Sequence, residues 1–285
     1  MKAILRSHFS GIILMAMASL AFSVNVVCVK YATQNLPVIQ VVFFRSFFGI
    51  LILAPYMRHK RVTFVGRHYA LLLARGILGC LALCLHFLTL SKLNLGTAVI
   101  LNYTGPIFTA ILAMIYLKER PTPTLLSMTA LAFLGVGLLM GTDKTGHLFY
   151  SLLALFSGLV VAYVTIVIRT IGHRESPLTI IFYFVGFSTL VTAPFALLQF
   201  QWPSLYEWLA LVLIGVATFY AQIWLTVALR RSDASLVTPF SYLTPLFAFL
   251  FGFLLWNEAG SWLTILGAGL IITAGIVICV KEATD

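Results

Sequence analysis

The chain has 285 residues, 61% of them hydrophobic and 9% charged, with a mean hydropathy of +1.04. Soluble domains hold about 45–50% apolar and about 25% charged residues, so this composition excludes a soluble globular protein. A net charge of +10 does not point to nucleic acid, because Lys and Arg stand between apolar runs and form no single basic patch.

Crossing roughly 30 Å of hydrocarbon takes about 20 apolar residues. The sequence predicts ten such spans, at 10–31, 38–57, 69–90, 97–117, 124–141, 147–168, 178–199, 206–229, 235–256 and 262–280. The expected fold class is an all-α integral membrane protein with no separate soluble domain. The first span follows Lys2 and Arg6 and imitates a signal peptide. Its apolar run extends to about Ala32, beyond a signal core of roughly 7–15 residues, and is read as retained.

Span one carries Asn25. Spans two and three carry Arg45 and Arg75 several residues inside, and span three also carries His86. A charge at the bilayer centre costs about 2.5–3.5 kcal/mol on insertion scales and usually faces a polar interior. Two readings are open for the arginines: they snorkel or cap carbonyls, or they meet an anionic group on a substrate. His86 is the mid-membrane group that titrates near neutrality, hence the candidate for proton coupling; a hydrogen-bonded packing role is its alternative.

Span four contains Asn102-Tyr103-Thr104-Gly105-Pro106, and span nine contains Ser241-Tyr242-Leu243-Thr244-Pro245. Proline inside a helix frees a carbonyl near position i−4. Pro106 and Pro245 are expected as hinges, with Asn102, Tyr103, Ser241 and Tyr242 lining a cavity at membrane depth. Tyr163 in span six and Tyr220 and Trp224 in span eight complete the candidate lining. Tyr220 and Trp224 share a helix face from which Gln222 points away. Glu119 and Glu258 close spans four and nine against the helix dipole. The simplest reason is that each caps the next span; a gate-side ion pair is the alternative.

These features recur at a constant offset of 139: Pro55 falls on Pro194, Tyr103 on Tyr242, Pro106 on Pro245 and Glu119 on Glu258. The chain therefore divides into repeats at 1–142 and 143–285, five spans each. An odd number of spans inverts the second copy, and inverted halves meeting at mid-membrane are a secondary-transporter architecture. With the N-terminus inside, thirteen Lys and Arg fall on the cytoplasmic side and only Lys30, Lys92 and Lys144 opposite. Both termini are expected in the cytoplasm. All eight acids stand at span ends, in loops or in the tail.

Enzyme and pump motifs do not appear: there is no HExxH, paired intramembrane Asp, GxSxG or P-loop. A serine–histidine arrangement using His86 stays open. The four cysteines lack metal-site spacing, so no metal or cofactor is expected. Gly137 and Gly141 form GxxxG on span five, and span ten carries Gly267, Gly269 and Gly275. These suggest a scaffold pair or a dimer contact, leaving monomer and homodimer both open. The alternative function is a non-transporting membrane protein such as a sensor, lipid-handling factor or assembly subunit.

The Asn102–Phe108 stretch ending at Leu117-Lys118-Glu119, its echo from Ser241 to Phe247 ending at Asn257-Glu258, and the stretches Arg45-xxx-Gly49 and Arg75-xxx-Gly79 resemble the EamA family of the drug/metabolite transporter superfamily. The resemblance covers nearly the whole chain. It implies a ten-span bacterial inner-membrane carrier for a small-molecule substrate such as an amino acid, S-adenosylmethionine, a nucleoside or a vitamin. It also implies a cavity lined by spans one, three, four, six, eight and nine. The family pattern names the machine and leaves the cargo open.

Overall fold

The computed structural model describes residues 2–116, 123–141, 148–171, 174–231, 238–258 and 260–281. Among these residues regular structure is helical throughout, as lipid requires of backbone that cannot bond to water. In chain order the helices are α1 (Lys2–Ala32), α2 (Val38–His59), α3 (Tyr69–Lys92), α4 (Leu95–Asn102), α5 (Gly105–Tyr116), α6 (Pro123–Gly141), α7 (Leu148–Ile171), α8 (Pro177–Leu198) and α9 (Leu205–Arg231). A 3-10 turn (Thr238–Tyr242), α10 (Leu243–Trp256) and α11 (Trp262–Lys281) follow. Six segments, in α1, α2, α3, α7, α8 and α9, are long and apolar enough to cross a membrane; α6, α10 and α11 contain shorter apolar stretches. Glu119 lies outside the described residues.

Predicted spans four and nine are not continuous kinked helices. The first is interrupted at Tyr103 and Thr104, and the second starts as a 3-10 turn. Pro106 is the second residue of α5 and Pro245 the third of α10. In the first turn of a helix the amide N–H has no intrahelical partner, so proline costs little there. The prolines therefore begin new helices and do not bend existing ones. Gly158 on α7 makes room for the interruption: a Cβ there would come within 2.8 Å of Thr104 Oγ1 and 3.2 Å of the Asn102 carbonyl.

Helices of the two halves interleave. α1 packs on α9 and α3 on α7; α2 packs on α9 and α3 on α8; α2 packs on α8, and α6 on α11. Each pairing has a counterpart in which the halves exchange roles. The α6–α11 approach uses Gly135, where a Cβ would lie 2.6 Å from the Gly267 carbonyl. Gly137 faces open space, and Gly275 instead leaves room for the Tyr242 ring. The close contact thus sits one half-turn away from the expected GxxxG pair.

Loops tie the ends of the bundle together. At one end Asn35 Nδ2 donates to Glu207 Oε1 (2.9 Å), and Gln40 exchanges two hydrogen bonds with the backbone of Gln201 (2.7 and 2.9 Å). At the other end Glu175 Oε1 accepts from the backbone N–H of Arg67 (2.6 Å) and His68 (2.8 Å), and Thr179 Oγ1 donates to the Thr63 carbonyl (2.8 Å). α2 joins these ends, and its 22 residues span about 33 Å.

Glu258 makes an ion pair, the alternative to a cap. It does not cap the following helix: one carboxylate oxygen pairs with Lys30 of α1, and the other accepts from the Leu95 N–H (2.7 Å) at the start of α4. Left-handed Asn257 (φ 52°, ψ 36°) turns the chain back, a conformation Asn tolerates. Gly252 leaves space for the carboxylate. Lys30 also donates to the Leu93 carbonyl (3.0 Å) and lies 5.5 Å from the Trp256 ring centroid. α1, α4 and α10 are clasped together at the end that holds Asn35.

Candidate functional site

A cavity of about 370 Å³ lies between the halves, lined by residues of α1, α2, α3, α4, α7, α8, α9 and α10. A second, of about 430 Å³, shares Arg45, Thr218 and Gln222 with it and reaches Lys60, Val62, Ser176 and Pro177 at the Glu175 end. The two adjoin at these side chains and together reach from mid-bundle to that end. The Lys30–Glu258 clasp stands at the other.

The central cavity brings together Asn25, Arg45, Arg75, His86, Asn102 and Tyr103 from the predicted set. Asn25 Nδ2 donates to Thr218 Oγ1 (2.7 Å) and the Ile214 carbonyl (3.1 Å), tying α1 to α9. Asn102 Nδ2 donates to Ser157 Oγ (2.8 Å), whose hydroxyl donates to the Ala82 carbonyl (3.1 Å). The end of α4 is thereby fixed to α7 and α3.

Both arginines lie against one ring. The guanidinium carbon of Arg75 is 4.3 Å from the Phe184 centroid and that of Arg45 5.1 Å. Arg45 is only 8% exposed. Its Nη1, and Nε and Nη1 of Arg75, are buried without hydrogen-bond partners, as is His86 Nδ1. Neither arginine is paired with a carboxylate among the described residues. Carbonyl capping is therefore not what holds them. Gly79 is what lets Arg75 reach the ring, since a Cβ there would overlap its Nη1 and the Phe184 ring.

The remaining predicted residues stand outside the lining of both cavities. Tyr220 is 49% exposed on the outer side of α9 and packs against Trp224, with centroids 5.6 Å apart. The opposite face of α9 carries Thr218 and Gln222, and that face lines the path. This i, i+4 polar pair on an apolar helix was the available signal, outweighed by the aromatic pair. Tyr163 and Ser241 are half-buried elsewhere on α7 and in the 3-10 turn. Tyr242 is 1% exposed, its ring edge-on to Tyr103 at 5.7 Å and its hydroxyl donating to the Tyr103 carbonyl (3.4 Å). Phe184 and Thr244 line the cavity without having been singled out; a Phe in an apolar span carries no polar mark.

The sequence profile of the EamA-like transporter family matches residues 9–141 and, separately, 148–280. The chain belongs to that family. A pseudopaline exporter of Pseudomonas aeruginosa (strain UCBPP-PA14) is 32% identical over 271 residues, covering 94% of this chain and 95% of the relative. An S-adenosylmethionine uptake transporter of Rickettsia prowazekii is 26% identical, covering 99% of this chain and 96% of its own length. A solved crystal structure at 17% identity superposes with a TM-score of 0.65, covering 99% of this chain and 98% of its own, and shares the fold. This EamA-like protein is a multi-pass membrane transporter of small metabolites.

Proposed function

We propose that this EamA-like chain is an inner-membrane carrier that works by alternating access, with two inverted repeats rocking about the central cavity. The observation that carries the reading is the pair of adjoining cavities, sharing Arg45, Thr218 and Gln222, that reach one end of the bundle, with the Lys30–Glu258 ion pair at the other. Several features support inversion. The family profile matches twice at an offset of 139. Tyr103 and Tyr242, equivalent under that offset, touch one another, as residues on a pseudo-two-fold axis must. The α1–α2 loop meets α8–α9 at one end, whereas its equivalent, the α7–α8 loop, meets α2–α3 at the other.

The Glu175 end carries Arg58, Lys60, Arg61, Arg67 and Arg174, a basic bias that supports a cytoplasmic position for it and for both termini. The path is then inward-facing. The cargo is a small metabolite bearing at least one acidic group, which the two arginines of the cavity would meet. Transport by exchange or facilitated diffusion fits a cavity whose described lining has no Asp or Glu to carry a coupling proton.

Counterflow in proteoliposomes tests the reading. Vesicles preloaded with unlabelled amino acids, S-adenosylmethionine or other small carboxylates should accumulate the matching label without an imposed pH gradient. Label no higher than in protein-free vesicles across the panel would favour a non-transporting membrane protein.

A further inference from the structure

Two guanidiniums are set against one aromatic ring in a chamber whose described lining has no carboxylate. A guanidinium keeps its charge in proteins. A buried charge without a partner is costly, and a buried charge pair is stable only when neutralised and hydrogen-bonded. Three of their nitrogen atoms have no acceptor among the described residues, so the donors are open to oxygen atoms that a ligand supplies.

Charge counting narrows what supplies them. A zwitterion of zero net charge leaves the chamber at +2. Its ammonium would find no acid in the described lining, and the Phe184 ring that could hold a cation already holds two. A dianion neutralises the pair. Both guanidinium carbons lie within about 5 Å of the same centroid, so one small molecule reaches both, and guanidinium forks bind carboxylate and phosphate oxygens in pairs.

We propose that Arg45 and Arg75, seated on Phe184, form a joint receptor for cargo with at least two acidic groups and net negative charge. The proposal rests on the carrier reading and sharpens it: a single carboxylate is not enough. Dicarboxylates and phosphate monoesters share this chemistry.

Two measurements on purified full-length protein test it: thermal stabilisation in detergent and counterflow in proteoliposomes. The probes are succinate, citrate, glycerol 3-phosphate, glycine and S-adenosylmethionine. Succinate or citrate, or glycerol 3-phosphate if the site prefers phosphate, should stabilise the protein and compete for exchange at least tenfold better than glycine or S-adenosylmethionine. Arg45→Gln and Arg75→Gln should each weaken that effect at least tenfold, while the melting temperature without ligand holds or rises because a buried charge is gone. Glycine or S-adenosylmethionine binding best would overturn the dianion receptor and leave the carrier standing. Dianions that stabilise the protein through the arginines but never exchange would keep the receptor and remove the carrier. Arginine variants that melt lower and bind every probe unchanged would show the pair to be structural, and stabilisation by no probe would also overturn the receptor.

Discussion

Arg75 lies back along its own helix because residue 79, one turn on, has no side chain to block it. Replacing Gly79 with Ala places a methyl where Nη1 and the Phe184 ring now meet. The guanidinium must move off the ring, and overpacking of this kind costs about 1–3 kcal/mol. Gly79→Ala should lower transport at least tenfold and lower the melting temperature, whereas Gly186→Ala, which meets nothing within 4 Å, should do neither. At the loop end, the His68 hydrogen bond holds the Glu175 carboxyl below its ordinary 4.5. A lowered folded value means stability that is complete above about pH 4.5 and lost as the pH falls through it. Glu175→Gln should abolish that part of the acid sensitivity, which melting curves recorded between pH 6 and pH 3 would reveal.

The interruption between α4 and α5 is held by contacts, not by its proline. Thr104 Oγ1 donates to the Leu101 carbonyl (2.6 Å), and Gly158 lets the open backbone approach α7. Gly158→Val should therefore destabilise the protein more than Pro245→Ala, which exchanges a first-turn proline for alanine and should shift stability by less than about 1 kcal/mol. Equal effects in thermal unfolding would contradict this account. The proline spacing was legible in the sequence, but its consequence was not. A proline reads the same whether it bends a helix or starts one, and only the neighbouring helix decides which.

The clasp of Lys30, Glu258 and the start of α4 ties three helices together at one end of the bundle. Removing it by Glu258→Gln should favour opening there. A cysteine at Val26, which lines the central cavity, should then react faster with an impermeant thiol reagent added from that side; an unchanged rate would separate the clasp from gating. Asn35 and Arg174 are equivalent under the offset of 139 and sit in loops at opposite ends of the bundle. In a cysteine-free background, Asn35→Cys should label in intact cells and Arg174→Cys only after permeabilisation. Labelling of both from one face would defeat the inverted reading.

The amino-acid sequence by itself determined the membrane class and marked Arg45, Arg75, Asn25, His86, Asn102 and Tyr103 as polar or aromatic residues inside apolar runs, because run length and the residues within a run are properties of the linear chain. It left Glu258 between a cap and an ion pair, and chose the aromatic face of α9 over Thr218 and Gln222. Those choices depend on which helix from the other half packs alongside, at separations such as the 228 residues between Lys30 and Glu258. Helix periodicity is local and fixes which residues share a face. Which face meets the cavity is settled only when the two halves dock.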